Sequence, residues 1–226
     1  MSQPIILCLE SATDVCSVAI TQGHDVICEL SLDEGQQHSS QLTILIDQCL
    51  ENAGLQRHQL SAISISDGPG SYTGLRVGAS VAKGIGYALN IPLIAIPTLK
   101  ALAEPHRATR NTIISTIDAR RMEAYMGIYE NGQELKPVTN IIWDQDNIDQ
   151  LSQSYDSILI CGNGIAKAKE HFSFPNNITI QPSLCNARLL GRLSHDRFIA
   201  QDFVDIAYHT PFYYKSPNIT KPKKAF

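Results

Sequence analysis

The chain has 226 residues, of which 43% are hydrophobic and 18% charged, and its net charge is -4. That length suffices for one large domain or two small ones with cores of their own, and the composition excludes a disordered, fibrous or low-complexity chain. Charge is unevenly placed: residues 1–105 carry four basic against ten acidic side chains, and residues 106–226 fourteen against twelve. The first half is therefore a poor surface for a polyanion, and any RNA contact is indirect or falls on the second half or on the tail Lys221-Pro222-Lys223-Lys224, whose ordinary reading is a solvated, frayed terminus.

In chain order, Ile5-Ile6-Leu7-Cys8-Leu9 reads as a buried strand ending at Glu10. A polar turn leads to a second strand over 15–20, and Gly23-His24 turns the chain into a third over 25–32. Residues 38–52 place Leu42, Leu45, Ile46, Cys49 and Leu50 at helical spacing, with Gly54 as the stop. A short strand comes next at 62–66, then a helix at 73–89, a strand at 92–96 and the start of a third helix at 98–103. The pattern then recurs. A strand over 112–117 ends at Asp118, the turn Ala119-Arg120-Arg121 leads to a strand over 122–129, and Asn131-Gly132 turns into another. The rest of the chain is thinner: a strand at 157–161, the turn Gly162-Asn163-Gly164, a short helix, and a helix from Asn186 to about Ala200.

The fold class expected is α/β, as two lobes of mixed sheet and helices at 1–105 and 106–226, the second reduced. Two meander-plus-helix lobes with an acid at each first strand's end resemble the actin, hexokinase and Hsp70 superfamily (ASKHA, RNase H-like). The resemblance implies that the turns after Glu10 and Asp118 face each other across a cleft as vestigial phosphate-loop acids.

The six cysteines (8, 16, 28, 49, 161 and 185) form no C-x-x-C pair and no cluster at zinc spacing, so they are expected as buried, reduced thiols. Met1-Ser2-Gln3-Pro4 has no basic character, and the apolar run 5–9 is too short for a signal or a membrane span. A cytoplasmic protein without membrane contact is expected.

The most specific run is Asp67-Gly68-Pro69-Gly70-Ser71-Tyr72-Thr73-Gly74-Leu75-Arg76-Val77-Gly78. It has neither the P-loop register nor that of a dinucleotide fingerprint, so a tight turn with Ser71 or Thr73 as helix N-cap is expected. In the helix over 73–89, Gly74, Gly78, Ala82 and Gly86 recur every four residues as a stripe almost without bulk. Each glycine costs helix stability, so another backbone must come close there, either within the chain or across an interface.

This run, together with Glu10-Ser11-Ala12-Thr13-Asp14-Val15-Cys16-Ser17-Val18-Ala19, Ile117-Asp118-Ala119-Arg120 and Pro211-Phe212-Tyr213-Tyr214-Lys215, resembles the TsaB (YeaZ) family over nearly the whole chain. The resemblance implies a duplicated actin-like fold without independent catalysis and without a cofactor. It also implies binding of a TsaD-like catalytic subunit through the first-lobe helices, with a TsaE-like ATPase joining. The reaction implied is N6-threonylcarbamoylation of the adenosine next to the anticodon in tRNAs reading codons that start with A. Residues expected at the partner interface are His38, Leu42, Leu45, Gly74, Arg76, Gly78, Ala82 and Gly86. A homodimer of the chain alone is left open.

Catalytic relatives carry a His-x-x-x-His metal pair where this chain has Thr98 and Leu102, which cannot replace two imidazoles; no metal is expected. Two other readings stand beside this one. An actin-like kinase or ATPase would use Glu10 and Asp118, and a glycoprotease-like peptidase would need a nucleophile and base, although the chain has no G-x-S-x-G elbow.

Overall fold

A computed structural model describes residues 3–32, 38–109 and 111–215; the side chains of residues 38–40 lie outside the described set. The first half contains β1 (Ile5–Glu10), β2 (Cys16–Gln22), β3 (Asp25–Leu32), α1 (His38–Asn52), β4 (Ala62–Ser66), α2 (Tyr72–Leu89), β5 (Leu93–Ile96) and α3 (Thr98–Ala103). The second contains β6 (Thr112–Asp118), β7 (Glu123–Glu130), β8 (Gln133–Ile142), α4 (Gln145–Ser154), β9 (Ile158–Gly162), α5 (Ala166–His171), β10 (Ile178–Gln181) and α6 (Gly191–Ile199).

The two five-stranded sheets repeat one plan. Their orders are β3-β2-β1-β4-β5 and β8-β7-β6-β9-β10, each an antiparallel meander whose first strand also pairs in parallel with the strand after the first helix. This is the duplicated actin-like arrangement. The second sheet is complete, where the sequence suggested a thinner lobe. Helix α4 escapes a periodicity reading because only Ile148 and Leu151 are buried in it, and β10 has four residues. The reduction lies in the helices: α4 and α5 have ten and six residues, against fifteen and eighteen in α1 and α2.

Alternation along the strands builds the cores. Leu7, Leu9, Val18, Ile20, Ile63, Ile65 and Leu93 face α1 and α2, while Ile6, Cys8, Ala19, Ala62, Ile94 and Ile96 face the opposite way. Helix α3 is the wedge between the lobes: Ala101 packs on the first sheet, and Leu99, Leu102 and Ala103 pack with Ile113, Ile117 and Leu159 of the second.

The division at residue 106 needs correction. Ala187, Leu190 and Leu193, on the short turn before α6 and in α6 itself, pack into the first sheet with Ile6, Cys8 and Ile94. Val204 then bridges Leu93 on β5. The chain thus returns to the first lobe after the second sheet is finished, which no local periodicity announces. All six cysteines are free, and only Cys28 is not buried. Burial pushes the Cys8 thiol up to about 12 and Cys16 up to about 11, so the reactive thiolate is suppressed. Among the described residues no helix is long and apolar enough to cross a membrane.

Candidate functional site

The two turns that end β1 and β6 do meet across a cleft. A cavity of about 730 Å³ lies between the lobes, lined by Ala12, Thr13 and Asp14 from one turn and Asp118, Ala119, Arg120 and Arg121 from the other. Gly70, Ser71 and Thr73, where the glycine-rich run enters α2, complete one wall. Tyr125, Asn163, Glu123 and the late Tyr213, Tyr214 and Lys215 also line it.

The two strand-end acids differ in what they do there. Glu10 is turned inward and is 1% exposed, so it does not line the cavity, contrary to the role the sequence suggested. The Ala12 N–H donates to its Oε1 at 2.6 Å, and the Ser66 hydroxyl donates to its Oε2. Burial pushes its carboxyl up to about 7, although both hydrogen bonds favour the ionised form. Asp118 does reach the cavity, but Lys167 Nζ sits 2.9 Å from its Oδ2 and the Arg120 N–H donates to its Oδ1 at 3.0 Å.

The Glu10 environment predicts how stability depends on pH. The folded chain keeps this proton up to about pH 7, whereas an ordinary glutamate releases it near 4.5. The stabilisation is therefore full below 4.5 and lost as pH rises through 7, by roughly 3 kcal/mol at 1.36 kcal/mol per pK unit. Glu10→Gln should flatten that part of the profile and stabilise the chain above pH 7. Denaturant midpoints between pH 4.5 and 8.5 check this, and parallel profiles for variant and wild type would contradict it.

The glycine-rich run is fixed by its neighbours. The Ser71 N–H donates to the Ala12 carbonyl at 2.6 Å, and a Cβ on Gly70 would lie 2.3 Å from the same oxygen. Gly68 adopts φ +103° beside the Phe212 carbonyl, with Pro69 next, and its N–H donates to Thr98 Oγ1 at 3.0 Å. Ser71 is the N-cap of α2, accepting from the Gly74 N–H at 3.3 Å. Thr73 is exposed at the cleft wall.

The small-residue stripe faces inward, which corrects the expectation that it forms an interface. A Cβ on Gly74 would lie 2.0 Å from the Ser11 carbonyl, one on Gly78 2.3 Å from Ser11 Oγ, and one on Gly86 2.6 Å from Ile206 Cδ1. Ala82 is fully buried, and the Ser11 hydroxyl donates to the Gly74 carbonyl at 2.8 Å. The stripe lets the β1–β2 turn dock on α2. Leu42 and Leu45 are likewise core residues rather than interface residues, buried with Val18 and Ile20. The His38 side chain lies outside the described ones. Thr98 and Leu102 are buried, the former as the acceptor for Gly68 and the latter between the lobes.

Of the expected interface residues, Arg76 stands on the exposed face of α2, its guanidinium 4.1 Å from the centroid of the Tyr72 ring. That face continues through Ser80, Gly84 and Tyr87, and Gly84 has open space where a Cβ would be. Sequence reading passed over this second, outward set because the inward glycines share the same four-residue spacing. It also missed the role of His209, whose Nε2 lies 2.8 Å from Asp67 Oδ1. Burial raises the Asp67 carboxyl and His209 opposes that shift.

A model of the family "TsaD: tRNA N6-adenosine threonylcarbamoyltransferase" matches residues 33–212. The tRNA threonylcarbamoyladenosine biosynthesis protein TsaB of Haemophilus influenzae is 35% identical over 131 residues, covering 55% of this chain and 53% of that protein. The chain thus spans about half the length of that relative. The TsaB protein of Bacillus subtilis is 28% identical over 169 residues, covering 73% of each. A crystal structure from Pseudomonas aeruginosa, of an uncharacterized protein with similarity to peptidase YEAZ, superimposes with a TM-score of 0.77 at 23% identity. It covers 94% of this chain and 100% of that one.

Proposed function

Since the chain belongs to the TsaB (YeaZ) family, within the reach of the threonylcarbamoyltransferase family model, we propose that it is a non-catalytic partner subunit in tRNA threonylcarbamoylation. Its task in this reading is to bind a TsaD-like catalytic subunit, with a TsaE-like ATPase joining, for modification of the adenosine next to the anticodon. The tRNA contact is made through the assembly or the second lobe.

The observation that carries the reading is the state of the acids and of the metal-pair positions. Glu10 is sealed behind Ser66 and Ala12, Asp118 is ion-paired with Lys167, and Thr98 and Leu102 are part of the packing. Among the described residues no three His, Cys, Asp or Glu side chains are grouped to hold a metal ion. This arrangement gives a transferase little to work with, and it supports a role exercised through a surface.

The surface we assign to the partner is the outward face of α1 and α2, which lie side by side on one face of the first sheet. It carries Ile44, Arg76, Ser80, Gly84 and Tyr87, the last 83% exposed. A small residue at Gly84 lets a partner helix approach to the roughly 8–10 Å at which helices pack, and Tyr87 supplies an aromatic anchor beside it. Gly84→Leu should weaken association with the TsaD-like subunit at least about tenfold, and Tyr87→Ala by a similar factor. Isothermal titration with the purified partner reads this. Unchanged affinity in both variants would remove the surface from consideration.

A further inference from the structure

The C-terminal segment makes contacts that neither the fold nor the proposed partnership requires. From the first lobe it is held at three points. His209 pairs with Asp67, the Phe212 N–H donates to the Asp67 carbonyl at 2.7 Å, and Tyr213 packs on Tyr72 with ring centroids 4.8 Å apart. Arg76 lies over both rings, 4.1 and 6.0 Å from their centroids. The next two residues land on the second lobe. Tyr214 meets the edge of Tyr125 at 5.4 Å and its hydroxyl donates to Asn140 Oδ1 at 3.5 Å, while Lys215 Nζ pairs with Glu123.

Glu123 is a consequential place to land. Its N–H donates to the Arg120 carbonyl and its own carbonyl accepts from the Ala119 N–H, both at 2.9 Å, so it closes the β6–β7 turn. In that turn Arg120, Arg121 and Met122 all lie in the left-handed region, at φ 73°, 50° and 61°. Non-glycine residues persist there only when their surroundings hold them. The segment therefore spans the cleft mouth, and its Lys215 pairs with the residue that closes the left-handed turn in the cleft wall.

We propose that residues 209–215 are a latch that holds the two lobes at their present separation and keeps the Arg120–Met122 turn presented to the cleft. Release of Tyr214 and Lys215 frees the second lobe to swing away from α2 and lets the turn relax. The cleft is then gated by the chain's own C-terminal segment, whose Tyr213, Tyr214 and Lys215 line it.

Amide hydrogen exchange on the full chain tests this, because among the described residues the ion pair of Lys215 is to Glu123 of the second lobe. If the segment is a latch, Lys215→Glu should speed exchange about threefold both in residues 119–123 and, across the cleft, in residues 72–74 of the first lobe. Protection of β1 and β6 should stay unchanged. The charge swap Lys215→Glu with Glu123→Lys should bring both regions back toward wild type. The double variant Tyr213→Ala, Tyr214→Ala should give about tenfold or more, and if it fails to fold, the charge pair alone decides. Faster exchange confined to residues 209–215, or none in 72–74, would show a frayed terminus on an unmoved cleft and overturn the proposal.

Discussion

Gly78→Leu is expected to lower the melting temperature by roughly 4–8 °C while the fraction that remains folded keeps its partner affinity. The position has no room: a Cβ would stand 2.3 Å from Ser11 Oγ, and that hydroxyl is already committed to the Gly74 carbonyl. A leucine must push the β1–β2 turn off α2, which breaks the buried hydrogen bond and shifts one wall of the cleft. Overpacking costs about 1–3 kcal/mol, the lost bond roughly one more, and leucine's better helix propensity returns about 0.8. The net loss is about 2 kcal/mol, at roughly 2–4 °C per kcal/mol for a chain of this size. At Gly84 the signs reverse. Nothing lies within 4 Å, so the same substitution keeps the propensity gain without the clash. It should leave melting unchanged or slightly higher while association falls. Circular dichroism melts of the two variants, each paired with a binding titration, separate the faces of the helix. An unperturbed melt with lost binding at Gly78 would return the inward stripe to an interface role.

Local pattern carried most of the element list. A short continuous apolar run identified β1, and the i, i+3, i+4 spacing of Leu42, Leu45, Ile46 and Cys49 identified α1 with bounds of His38–Asn52. A hydroxyl cap was legible as Ser71 or Thr73, and contact with the Gly74 N–H selects Ser71. The failures share a physical cause: each required knowing which side of an element faces what. Gly74 and Gly84 are both glycines in α2, yet one rests on a carbonyl and the other on nothing. Periodicity finds the helix and leaves that difference open. Glu10 sits at the end of β1, as Asp118 does at the end of β6, but only the pairing of β1 with β4 puts Ser66 where it can turn that carboxylate inward. The return of 187–204 to the first sheet is long-range, as is the latch at residues 209–215.

The role proposed for this chain in tRNA threonylcarbamoylation is to contribute a surface rather than chemistry. Its most direct test is an omission series with purified components, in which transfer of the threonylcarbamoyl group from threonylcarbamoyl-adenylate to tRNA is monitored by mass analysis of the nucleosides. The chain alone should give no modified adenosine. The TsaD-like and TsaE-like subunits without it should give little, and restoring wild-type chain should raise the yield at least about tenfold. Glu10→Gln should restore that yield as well as wild type does, because the carboxyl is sealed behind Ser66 and Ala12. Gly84→Leu should restore it poorly. Modified nucleoside formed by this chain in the absence of both partners would contradict the account.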